Sequence, residues 1–192
     1  MVIASLMLAA CSDGSSRLDG DAFDDELSTL VTNVPVRPGS FVTFGSVALR
    51  NTSGHPVTLV SATPVWSEHV TVSNIGISPY GFTSSGAVVD RRAPDAVDVR
   101  GFVVPPDPDD GRHDANDEVY GITMEVALHD GELAGLVLGL DVTYRDGMRL
   151  RTQRFPLMSM VCRWTGDPCS STYEGVEAFY GDPLDLLEQL RD

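Results

Sequence analysis

Between Asp107 and Glu118 the chain gathers Asp107, Asp109, Asp110, His113, Asp114, Asn116, Asp117 and Glu118 around Gly111. Clustered carboxylates are the chemistry of calcium, a hard cation that takes about six to eight oxygen ligands. Asp109, Asp110, Asp114 and Asp117 are the candidate ligands. Pro106 and Pro108 stand where an EF-hand would need ligands before its glycine, so the run also reads as a plain solvated connection. Met158 and Met160 offer thioethers on one face of a strand, a donor type suited to Cu(I). With no histidine close in sequence, core filling is the preferred reading of the same pair. His55, His69, His113 and His129 stand in no catalytic context: there is no G-x-S-x-G, H-E-x-x-H, P-loop or G-x-G-x-x-G. Acids are so abundant that any glycosidase-like pair would be arbitrary. No catalytic residue and no cofactor is assigned.

The charge balance narrows the partners. Twenty-eight acidic residues face 13 basic ones, all arginine, for a formal net charge of −15. Such a field repels phosphate backbones and anionic surfaces, and a nucleic-acid site needs a basic patch. Arg149, Arg151 and Arg154 read as the wet face of a strand, so nucleic-acid binding is not expected. The 192 residues suit a single domain. No apolar run reaches the roughly 20 residues of a membrane-spanning helix.

The elements that would position these groups are strands. Ile122, Met124, Val126 and Leu128 alternate with Thr123, Glu125, Ala127 and His129, the period of a half-buried strand. Leu136, Leu138, Leu140, Val142 and Tyr144 continue the pattern on one expected face. Asp146-Gly147 then predicts a two-residue type I′ hairpin, with Met148–Thr152 returning and Phe155–Cys162 extending past Pro156. Phe41–Arg50 and Val57–Val65 read as an earlier hairpin around the turn-formers Asn51 to Pro56. Val70 to Ile77 predicts a strand with a bulge near Asn74. Val97–Val104 and Leu30–Val36 complete seven or eight strands, the pattern of an all-β, immunoglobulin-like antiparallel β-sandwich. Asp182-Pro183 predicts a short C-terminal helix, with Leu184, Leu187 and Leu190 on the face packed against its own domain.

At the N-terminus, Leu8-Ala9-Ala10-Cys11 resembles a lipobox, the cleavage signal of bacterial lipoproteins. The resemblance implies removal of residues 1–10 as a signal peptide and attachment of a diacylglyceryl group to the Cys11 thiol. Fatty acyl chains of the palmitate type then hold the protein on a membrane. A signal peptide begins with basic residues and carries an apolar stretch of about 7–15 residues. The basic residues are missing here, so the expected leader is truncated. Residues 11–27 follow as a polar, acidic tether, 28–165 as the sandwich, and 166–192 as a C-terminal extension. Once lipidation uses Cys11, Cys162 and Cys169 remain as an even pair around Gly166-Asp167-Pro168, expected to form a disulfide in an oxidising compartment.

Arg50–Leu59 (R-N-T-S-G-H-P-V-T-L) resembles the strand–turn–strand of secreted immunoglobulin-like modules, and Asp141–Thr152 extends the likeness to Cys162. The whole resembles uncharacterised envelope proteins of high-GC Gram-positive bacteria. The resemblance implies strands and turns and carries over no functional residue. The expected function is a non-enzymatic interaction module on the extracytoplasmic face of the cell membrane, lipid-anchored, with an envelope protein as partner. A calcium- or copper-binding lipoprotein is the alternative, and an envelope hydrolase the third reading.

Overall fold

Two five-stranded sheets face each other in the computed structural model, which describes residues 22–23, 30–78, 87–107, 120–163, 176–177 and 179–190. The strands are β1 (Leu30–Val36), β2 (Phe41–Leu49), β3 (Val57–Glu68), β4 (Val70–Ser78), β5 (Ala87–Val89), β6 (Val97–Asp98), β7 (Val103–Val104), β8 (Tyr120–Leu128), β9 (Ala134–Asp146) and β10 (Arg149–Arg163). One sheet runs β1-β10-β9-β3-β7 and the other β5-β2-β8-β4-β6. The central strands β2, β8 and β4 oppose β3, β9 and β10 in the connection order of an immunoglobulin-like sandwich. The all-β sandwich with its short C-terminal helix is therefore present.

Alternation builds the core. Ile122, Met124 and Val126 of β8 point inward and are fully buried, as the sequence predicts. They meet Phe44 and Leu49 of β2, and Leu59, Leu140, Tyr144 and Phe155 from the facing sheet. Each such side chain contributes about 1.5–3 kcal/mol on burial. The bulge expected near Asn74 is there: the β4–β8 register shifts between Ser73 and Gly76, and Asn74 has φ 48°.

Several expectations need correction. Ten strands are present among the described residues, against seven or eight expected, because three short ones line the sheet edges. Val97–Val104 is not one strand. It turns at Val99–Gly101, so that β6 joins β4 in one sheet and β7 joins β3 in the other. β2 and β3 do not pair as a hairpin; they lie in different sheets, and residues 51–56 arch between them. Asn51 holds that arch by donating from Nδ2 to the carbonyls of His55 and Val104. The β1–β10 pair is parallel, so the sandwich is not wholly antiparallel.

The β9–β10 hairpin is displaced by one residue from the expected turn. Asp146 pairs with Arg149, leaving Gly147-Met148 as the loop. Gly147 alone takes a positive φ, 58°, whereas Asp146 stays in the strand. A glycine at the first central position is the type II′ pattern rather than type I′.

Gly139 breaks the face expected for β9. Its φ is 65° and the β9–β10 register shifts opposite it, between Phe155 and Met158. Leu140, Val142 and Tyr144 therefore face the inter-sheet core, whereas Leu136 and Leu138 face outward. A second core forms there from Leu136, Leu138, Met158, Met160, Val176 and Leu187.

The C-terminal helix (Pro183–Glu188) covers this second core. Asp182 caps it, its carboxylate accepting from the Leu184 N–H at 2.9 Å, and Pro183 sits in the first turn. Pro183 and Leu187 are its buried residues, with Leu186 and Leu190 packed alongside. Leu184 is exposed, contrary to the expected face. Pro183 occupies the first-turn contact, and a residue one position later is rotated by about 100°.

Candidate functional site

The functional surface best defined by the residues is the sandwich end where the N-terminal segment joins the body. Ala22 and Phe23 belong to the expected solvated tether, yet both are 1% exposed. The Ala22 N–H donates to Tyr144 Oη at 3.1 Å. Phe23 N donates to Gln153 Oε1, and Gln153 Nε2 donates back to the Phe23 carbonyl, so one side chain satisfies both backbone groups of Phe23. That reciprocal pair explains a glutamine at an inward position of β10, where an unpaired amide would cost about 1–3 kcal/mol. The Phe23 ring meets Tyr144 edge-on at 5.0 Å and lies 6.4 Å from Phe155. Thr52 N donates to the Ala22 carbonyl, closing the latch from the arch side.

Beside this latch stands a charged cluster. His55 Nε2 contacts Asp146 Oδ1 at 2.5 Å, and its Nδ1 faces the Ser53 carbonyl. Arg151 Nε lies 3.3 Å from Asp146 Oδ2 but is not aligned for a hydrogen bond. Arg50 Nε pairs with Asp107 Oδ2 at 2.5 Å. The Asp146 hydrogen bond, then the Ser53 carbonyl, raise the His55 pKa, and the His55 hydrogen bond holds Asp146 below its usual range. The signs define a window. The His55 contribution is complete below its unfolded value near 6.5 and is lost as pH rises through the raised folded value. The Asp146 contribution is present above its unfolded value near 3.8 and is lost as pH falls through the lowered one. His55→Gln is therefore expected to lower Tm between roughly pH 4 and 7 and to converge with the unmodified chain in alkaline buffer. A Tm difference that persists unchanged at high pH would rule this pairing out.

The other candidates separate. Of the acidic run only Asp107 is described, and it is committed to Arg50. Asp109, Asp110, Asp114 and Asp117 lie outside the described residues, as do His113 and Cys11. Among the described residues no group of three or more His, Cys, Asp or Glu could hold a metal ion. Met158 and Met160 are fully buried in the second core, where their sulfurs fill space.

His69 and His129 sit at the other end of the twelve-residue β3, about 40 Å along a strand from His55. His69 has φ 57° and stands between Glu68 at 3.3 Å and Glu132 at 3.6 Å. Burial, then the charges of Glu68 and Glu132, push Tyr180 up to about 12. His129 Nε2 contacts Thr71 Oγ1.

On the outer face of β8, Glu125 is buried beneath the 90–96 connection. It accepts from Asn74 Nδ2 at 2.6 Å and pairs with Arg92 Nε at 3.1 Å. The positive φ of Asn74 thus positions a side chain as well as forming a bulge.

The arginine run does not share one face. Arg154 forks onto Asp141 at 2.8 and 3.0 Å, whereas Arg149 pairs in register with Asp146 at the hairpin end. Cys162 is fully buried, its Sγ 3.2 Å from Asn33 Oδ1. Cys169 lies outside the described residues. The latch and the His55–Asp146 pairing escaped sequence reasoning. Phe23 is one aromatic in an acidic stretch, and its only signal is the inward-facing Gln153. No described helix is long and apolar enough to cross a membrane. No family model and no curated protein matches this chain.

Proposed function

We propose that this protein is a lipid-anchored extracytoplasmic lipoprotein whose sandwich serves the cell envelope as a non-enzymatic binding module. The carrying observation is the sequence Leu8-Ala9-Ala10-Cys11 placed just ahead of a body that begins with a latch at Ala22–Phe23. Covalent geometry limits Cys11 to roughly 40 Å from Ala22 at full extension. A lipid on Cys11 would therefore hold the latch end near the bilayer and present the remainder outward. Burial of Met158 and Met160 favours core filling over a copper site. We read Cys162, in β10, as the disulfide partner of Cys169, seven residues on in the sequence. Such a disulfide belongs to the same oxidising compartment.

Mass spectrometry of the N-terminal peptide from native membranes tests the anchor. The expected peptide starts at Cys11 and carries diacylglyceryl and acyl mass, and Cys11→Ser releases the protein from the membrane fraction. An unmodified Cys11 in a chain recovered from the cytosol, with Cys162 and Cys169 both reduced, would overturn the proposal.

A further inference from the structure

The β9–β10 hairpin ends in apolar surface that the fold does not use. Met148 at its tip is 99% exposed and Leu150 63% exposed. Between positions 145 and 151 stand Arg145, Arg149 and Arg151 against one acid, Asp146, in a chain of net charge −15. Asp146 is itself engaged by His55 and lies beside Arg151, so the tip is locally cationic. Leu150 stands across from Arg145 in the strand register, bringing an apolar and a basic side chain together. The same end receives the N-terminal segment, because Ala22 and Phe23 are bound by Tyr144 and Gln153, close to the tip on the same two strands. Twenty-one residues of the sequence precede Ala22.

We propose that this tip is a second membrane contact. Met148 and Leu150 enter the interfacial layer while the exposed Arg145 and Arg149 meet anionic lipid headgroups. An apolar insertion and a few basic residues are weak separately and effective together, above all when a tether keeps them at the surface. The placement rests on the Cys11 anchor; the affinity of the tip does not. Asp107, where the acidic run of the sequence begins, is held at the same end by Arg50.

The test uses the full chain with Cys11→Ser, floated with vesicles of phosphatidylglycerol and phosphatidylcholine, or of phosphatidylcholine alone. The anionic vesicles are expected to carry about tenfold more protein. M148S/L150S and R145Q/R149Q should each reduce binding by about tenfold without changing Tm, since these side chains are exposed. Equal or absent binding to both vesicles overturns the proposal, as do variants that bind like the parent. A concentration-dependent dimer abolished by M148S/L150S also overturns it, by assigning the patch to a second copy. The mass of the Cys11 peptide reports on the anchor separately, so either idea can fail alone.

Discussion

Gly139→Ala is expected to destabilise the fold by about 2–4 kcal/mol, combining a positive-φ penalty with overpacking. The φ of 65° is one that side chains other than glycine rarely adopt. A Cβ there would also lie 2.9 Å from Val65 Cγ2 and 3.3 Å from Leu190 Cδ1. The internal reference is Gly147→Ala in the hairpin loop, where φ is 58° and nothing lies within 4 Å. It should cost only about 1 kcal/mol. Urea denaturation of both variants separates strain from crowding. Equal losses would show that Val65 and Leu190 give way freely, and that the crowding contribution is absent.

That glycine also marks where the sequence stops being legible. Period-two alternation identified the strands, because inward side chains must be apolar and outward ones need not be. The Asp146-Gly147 dipeptide located the hairpin to within one residue. Alternation carries no information about which residue will interrupt it. Gly139 reads as one more small residue, yet it sends Leu136 and Leu138 to a different core from Leu140. The β2–β3 connection misled for a related reason: Asn, Ser, Gly and Pro serve a hairpin and an inter-sheet arch equally well. Pairing partners are decided by long-range packing, here Asn51 reaching the Val104 carbonyl. Phe23 was hidden by its acidic neighbours, and Met148 by its place next to a strand. The helix was read well, since capping is local chemistry, but its buried face shifted because Pro183 took the contact expected of Leu184.

Met160→Ala should cost about 2–5 kcal/mol, the range for emptying a buried site of that size. Met160 is fully buried and shares its cluster with Met158, Leu136 and Leu187. Leu187→Ala should produce a similar loss from the opposite side of this cluster. Hydrogen exchange would then show helix amides opening ahead of those in β9, because the helix is held by this core rather than by its own six-residue length. A loss below about 1 kcal/mol for Met160→Ala would mean that the thioether is not a packing element. Its burial would then need another explanation, metal ligation among them.

Parallel alignment of β1 with β10 governs how the body answers a mechanical load. Seven residues of β1 run beside seven of β10 in the same direction. Tension entering from the amino-terminal side, resisted at the carboxyl-terminal end of β10, pulls the two strands past each other along their length. The inter-strand hydrogen bonds then share the force instead of opening one after another. Strands paired in this way resist such tension through many hydrogen bonds that must break together, not through the strength of any single bond.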